Sequence, residues 1–494
     1  MSKGHKGLSA WQLTMMALGT VVGGSFFLGS AIAIRAAGPA IVIPYVLVGV
    51  IVYVILFALS EMTTADPAPG SFRTFAQRAY GPAVGFVVGW VYWTGLVLAM
   101  SSEAIAVAIF LRAWFPTLSL PILGALIIIG VSLLNLLGAD LLSKLESGLA
   151  IVKLLAIVGF IVLGLGLISG LMPGVPRIGA GELLTEPLFP AGIRGIAGSM
   201  LIVMFTYAGF EIIGLAASEA ENPHKTIPQA ITLTVVGLVG LYVTAVIVLL
   251  PLIPTEALGG EQSPMVAALA RWRLGWAGSI ISIVLISAIL STMLAAMFGL
   301  GRMIRSLADE GHAPALIRDK GDIPYRGILF SGLAMLGGLG LGFLLPQQVY
   351  IFLISAGGFA LLFTYVVILA THYKFRKQHG CPPEGQCQLP GYPYSSWLAL
   401  ISSVAIIASM PLIPGQGSGL LAGLMLIAIF TIFYVIKASY LKNIVPVTNA
   451  ITREEFNRNL PFGKLETQFE FAEELSVEQS KLQSKKESKK EPEK

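Results

Sequence analysis

The chain has 494 residues, of which 55% are hydrophobic and only 12% are charged. Soluble domains carry about 25% charged residues, so a soluble fold is excluded; apolar runs near twenty residues long describe a polytopic helical membrane protein. The net charge of +5 is spent on orientation and a polar tail and implies no nucleic-acid partner.

Twelve hydrophobic spans follow in order: 11–33, 41–62, 82–111, 121–139, 148–171, 196–218, 229–252, 276–304, 327–345, 349–371, 396–413 and 417–440. Backbone groups in lipid must be satisfied internally, so the spans are predicted to be helices and the fold all-α. The third and eighth are long enough to tilt or to project beyond the bilayer. With the N-terminus (1–10) inside, the inner segments hold Lys3, Lys6, Arg73, Arg78, Lys144, Lys225, Arg302, Arg305, Arg318, Lys320, Arg326, Lys374, Arg376 and Lys377. The outer segments hold Arg35, Arg112, Arg177, Arg194, Arg271 and Arg273. That bias predicts a multi-pass protein of the cytoplasmic membrane with both termini cytoplasmic. A transmembrane domain over 11–440 then precedes a tail, 441–494, that ends in mixed Lys and Glu and reads as largely disordered. Cys381 and Cys387 share a polar loop assigned to the cytosol and are expected to be free thiols. No metal site or cofactor is expected.

The first span, WQLTMMALGTVVGGSFFLGSAIAI, carries Gly23-Gly24, and the sixth, IAGSMLIVMFTYAGFEIIGLAASEA, carries Gly209 and Gly214. Paired glycine-interrupted spans in corresponding halves point to a transporter binding site. The interruptions lie five spans apart, so the two helices cross in opposite senses, as an inverted repeat of five plus five demands (11–171 and 196–371, with 396–440 outside it). A break frees N–H groups that suit a carboxylate and carbonyls that suit an ammonium. A free amino acid carries both.

Four further ionisable residues sit in or near spans. Lys153 lies in LESGLAIVKLLAIVGFIVLGLGLISG, at membrane depth, where a lysine costs roughly 2.5 to 3.5 kcal/mol. It reads either as a proton-carrying or ion-replacing group, or as a lysine snorkelling to the headgroups. Glu211, just past the second break, is a candidate for coupling or for bonding broken backbone. Glu103 is a candidate substrate-side or network residue. Glu61 reads as a solvated helix end. The five histidines fall outside span centres.

Four stretches together carry a resemblance: ALGTVVGGSFFLGS, GSFRTFAQRAYGPAVGFVVGWVYW, FTYAGFEIIGLAASEAENPHKTIPQAI and GRMIRSLADEGHAP. Over about residues 8–440 the chain resembles amino acid permeases of the amino acid–polyamine–organocation superfamily, in the bacterial amino acid transporter branch. The resemblance implies a LeuT-type fold and alternating access. By position it places the substrate carboxylate on the N–H groups of Gly24 and Ser25, with Gly23 allowing the turn. The ammonium meets carbonyls of Val21, Phe205 and Ala208. Phe205 is implied as the aromatic lid, with Tyr207 a second candidate gate. Gly95, Leu96 and Met100 line the side-chain pocket, with the stretch Leu290–Leu294 nearby. The family's first-helix pattern is Gly-x-Gly; Gly23-Gly24-Ser25 departs from it. Many proton-coupled members carry a lysine in the fifth helix, where it replaces a sodium ion, and Lys153 takes that place.

The implied pocket is apolar apart from Glu103. The reading is therefore proton-coupled import of neutral, aliphatic or aromatic, L-amino acids, with the substrate, protons and lipid as partners. Exchange of an amino acid against an amine is the alternative transport mode, and a non-transporting amino acid sensor on the same fold is the alternative class. The sequence pairs no nucleophile with a base and has neither HExxH nor a phosphate loop, so no enzyme is expected.

Overall fold

The computed structural model describes residues 9–444 except 66, 67, 69, 113, 138, 212, 214–219, 261, 320–322, 345–348, 382–387 and 414. The tail expected to be disordered lies, from residue 445, outside the described residues. Every regular element among the described residues is helical.

Ser9 starts α1 (Ala10–Val21) with a reciprocal cap: its hydroxyl accepts the Gln12 N–H, and the Gln12 side chain accepts the Ser9 N–H at 2.9 Å. The helix stops where Val22 turns extended before Gly23-Gly24. A π turn, Ser25–Gly29, then leads into α2 (Ser30–Ala37). After α2 come α3 (Val42–Ala65), the short amphipathic α4 (Phe72–Tyr80), α5 (Pro82–Leu111), α6 (Leu120–Asn135) and α7 (Ala139–Ser169). The sixth span opens with α8 (Gly192–Thr206), which gives way to turns through Tyr207–Glu211. Gly209 there has φ +104°, and a Cβ would stand 3.1 Å from the Thr20 carbonyl oxygen, so both the dihedral and the crowding call for glycine. The remainder comprises α9 (Pro223–Leu249), α10 (Pro264–Arg271), α11 (Gly275–Asp309), α12 (Tyr325–Leu344), α13 (Val349–His379), α14 (Tyr394–Ser409) and α15 (Gly417–Ile444).

Among the described residues, eight helical stretches are long and apolar enough to cross a membrane, while α6 and α8 are apolar but shorter. The predicted first span is split at Gly23-Gly24, and in the sixth α8 ends at Thr206, ahead of the turn at Gly209. Leu126, Leu155, Val162, Leu333, Ile401 and Ile436 all point outward; so broad an apolar surface suits lipid rather than water. The chain is a multi-pass membrane protein.

Contacts among helices and connecting segments define two faces. On the proximal face, where α1 begins, Thr14 bonds the Ala230 carbonyl, Lys374 bonds the Ala79 carbonyl and Gln388 bonds the His224 carbonyl. On the distal face the Ala40 N–H reaches the Leu188 carbonyl, and Glu186 accepts from both the backbone and hydroxyl of Thr255.

Two expectations are corrected on the proximal face. Glu61 is not a solvated helix end but fully buried. His372 Nε2 stands 2.6 Å and Arg376 Nε 3.0 Å from its Oε2, and the N–H groups of Gln388 and Leu389 donate to Oε1 at 2.7 Å. The sequence separation of these partners hid the cluster. Cys381 is disulfide-bonded rather than a free thiol; Cys387 lies outside the described residues. Deleting one member of a buried charged cluster leaves the others unpaired, at about 3–5 kcal/mol. Glu61→Ala is therefore expected to lower the melting temperature of the detergent-purified protein by several degrees; an unchanged melting curve refutes the cluster's stabilising role.

Candidate substrate site at the two helix breaks

The two breaks face one cavity of about 870 Å³. Its inner wall includes Thr20, Val21, Ser25, Gly95, Leu96, Met100, Phe205, Ala208 and Thr292. Gly23, Gly24 and Tyr207 stand behind that wall. The cavity runs to the proximal face, where Ala68, Gly70, Arg302, Arg305, Ser306 and Glu310 line its mouth. On the distal side a packed aromatic layer closes it. Phe26 stacks on Tyr242 with centroids 3.8 Å apart, Tyr45 meets both rings edge-on, and Tyr207 packs on Tyr45 and Tyr242. Tyr207 donates to the Tyr45 carbonyl at 3.1 Å, so its hydroxyl points into this layer rather than the cavity.

Three buried charged side chains hold the broken backbone. Lys153 donates to the Gly19 carbonyl and, at 2.9 Å, to the Thr292 hydroxyl. Thr292 in turn donates to the Val22 carbonyl at 3.1 Å. Lysine and threonine together thus satisfy carbonyls released at the end of α1. Lys153 is fully buried, which removes the snorkelling reading. Glu211 accepts the Gly209 N–H at 2.8 Å and the Tyr365 hydroxyl at 3.2 Å, so it caps the break in its own span. Thr20 links the breaks by reaching the Gly209 carbonyl at 3.2 Å. Glu103 takes the N–H of Gly24 on Oε2 at 2.7 Å and that of Ser25 on Oε1 at 3.1 Å. Those are the two donors that the family resemblance assigns to a substrate carboxylate. Phe26 and Phe27 turn their own N–H groups back to the Gly23 carbonyl, which leaves only two donors for Glu103.

Gly95 also does structural work: a Cβ there would lie 2.2 Å from the Ala360 Cβ, so α5 and α13 meet in close contact beside the pocket. Sequence reasoning missed the mouth. Arg73 is fully buried; it donates to Glu310 Oε2 at 2.8 Å and to Ser306 at 2.9 Å, with a further bond to Glu310 Oε1. Arginine spaced 237 positions from its glutamate leaves no local pattern.

Interrupted membrane helices whose freed backbone groups converge on an internal cavity define the architecture of a secondary transporter. The comparisons agree. Residues 12–450 match the family model described as "Amino acid permease". The chain is 32% identical over 447 residues to the uncharacterized amino acid permease YtnA of Bacillus subtilis, covering 89% of this chain and 96% of the relative. It is 30% identical over 418 residues to the aromatic amino acid transport protein AroP of Escherichia coli K12, covering 83% and 91%. It is 29% identical over 457 residues to the gamma-aminobutyric acid permease of Bacillus subtilis, covering 90% and 96%. The chain belongs to the amino acid permease family of the amino acid–polyamine–organocation superfamily. Its relatives are permeases, not enzymes.

The mouth titrates. Burial raises the Glu310 carboxyl, but the hydrogen bonds and charge of Arg73 outweigh it and hold Glu310 below its ordinary value. That stabilisation is present above the unfolded carboxylate pKa and is lost as pH falls through the folded one. Burial pushes His312 from 6.5 down to about 4. The unfolded chain therefore binds a proton that the folded one refuses between those values, and stability falls as pH drops from about 6.5 to 4. His312→Asn is expected to flatten the decline of melting temperature in that window; an unaltered slope shows that His312 does not cause it.

Proposed function

We propose that the protein is a proton-coupled importer of neutral, aliphatic or aromatic, L-amino acids in the cytoplasmic membrane, working by alternating access. The carrying observation is that two broken helices offer backbone donors and acceptors to one cavity that also has an apolar stretch of wall, with Leu96, Ala99, Met100, Phe205 and Leu361 on it. Zwitterion ends suit the breaks; an apolar side chain suits the wall. The printed cargoes of the relatives, aromatic amino acids and gamma-aminobutyric acid, have no net charge, which supports the same choice. We read the fold as twelve spans with an inverted repeat of five plus five. The bias of Lys and Arg makes the proximal face cytosolic, so the conformation is inward-open and both termini are cytoplasmic.

Phe205 is the lid over the substrate and Val21 and Ala208 offer carbonyls to its ammonium. Lys153 is the coupling group. Charged, it ties the end of α1 to α7 and α11; neutral, it gives up part of its grip on the Gly19 carbonyl and the Thr292 hydroxyl. Glu211 holds the second break and passes its state to Tyr365 on α13.

In proteoliposomes with an imposed inward proton gradient, the wild type is expected to accumulate neutral L-amino acids without internal substrate. Lys153→Ala is expected to lose accumulation while retaining counterflow exchange. A Lys153→Ala protein that still concentrates substrate, with unchanged pH dependence, sinks the coupling role. Wild-type uptake that needs internal substrate makes the protein an exchanger instead.

A further inference from the structure

The two N–H groups best placed for a substrate carboxylate are already occupied. Glu103, on α5, caps both Gly24 and Ser25 and is almost fully buried. The approach is closely fitted: a Cβ on residue 24 would stand 2.4 Å from Glu103 Oε2, so glycine at this position is what lets the carboxylate in. Ala106 of the same helix and Ile289 of α11 close the shell on that side. Lys153 of α7 acts on Glu103 through charge, Glu103 in turn acts on Tyr242 of α9, and Glu211 shares the cavity.

Two ionised carboxylates do not share the same two donors at close range. At 4 Å their repulsion is about 4 kcal/mol at an effective dielectric of 20, and the usual resolution is that one of them takes a proton. An amino acid arriving as a zwitterion brings its carboxylate to this cradle. We propose that Glu103 is a tethered stand-in for the substrate carboxylate, displaced from Gly24 and Ser25 when cargo binds and carrying one proton as it leaves. The account rests on the proposed amino acid transport. Protonation forms an O–H bond on the Glu103 carboxyl, the proton comes from bulk water along the open mouth, and the charge in the cradle stays at one negative before and after. Glu103 is thereby a specificity device as well: a ligand with an ammonium but no carboxylate has nothing to displace it with.

The test is calorimetric, on detergent-purified wild type, run in buffers of differing ionisation enthalpy. The probes are the neutral L-amino acid giving the largest thermal shift and the amine that is its decarboxylated form. At pH values where Glu103 is ionised, the amino acid is expected to bind with uptake of about one proton, its dissociation constant rising about tenfold per pH unit. The amine is expected to bind without this uptake, or not at all. Glu103→Gln is expected to bind the amino acid with no proton uptake and no pH dependence of affinity. Equal proton uptake for the amino acid and a bound amine overturns the proposal, as does a Gln variant that keeps the wild-type pH dependence, since Lys153 is then the group that titrates. The probe pair decides the matter on wild type alone if the variant does not fold. A wild type that binds no amino acid at any pH sinks the transport reading itself, a result distinct from either.

Discussion

An interrupted helix in a low-dielectric interior leaves backbone N–H and C=O groups without partners, and each must find one or cost several kcal/mol. The rest of this molecule answers that constraint. Lys153 and Thr292 take carbonyls at the end of α1, Glu103 takes the donors that open its second half, and Glu211 takes the donor at Gly209. Each buried charge has the sign opposite to the partial charge it meets, so cation meets carbonyl and anion meets amide. The charges that look expensive in a hydropathy reading are what make the breaks tolerable.

The same arrangement explains why the cavity is chemically divided. At the two breaks backbone supplies polar groups, backed by Glu103 of α5 and Thr292 of α11, while the methyls, thioethers and glycines of the wall come from α5, α11 and α13. In the proposed reading, backbone groups recognise what all amino acids share, and the apolar wall sorts what differs between them. The charged mouth, where buried Arg73 is locked onto Glu310 and Ser306, lies outside that division.

Much of this was legible in the chain. Adjacent glycines in one span and Gly209 in another located both breaks, because glycine at such positions has no helical excuse. Lys153 declared itself by sitting among apolar residues. Other features were silent for one physical reason: they are pairings across large sequence separations between residues that look ordinary alone. Glu103 is 79 positions from Gly24 and Glu61 is 311 from His372. Nothing within a window around Glu61 distinguishes a carboxylate that meets water from one that meets an imidazole, a guanidinium and two amides. Tyr45 and Tyr242 read as span residues, yet with Phe26 and Tyr207 they make the distal seal. The broken spans blurred helix lengths too, since hydropathy runs straight through a turn that hydrogen bonding does not.

The contact of α5 with α13 at Gly95 and Ala360 leaves no room for a methyl group, and a Cβ on Gly357 would stand 3.1 Å from the Gly95 carbonyl oxygen. Two helices meshed that closely form a single strut. Glu103 is mounted on one member of it and Tyr365 on the other. The strut thus grips the first interrupted helix through a carboxylate and the second through a phenol bound to Glu211. Any displacement of the interrupted pair against the strut would strain both grips, so the two breaks share one mount, like tumblers on a common shaft.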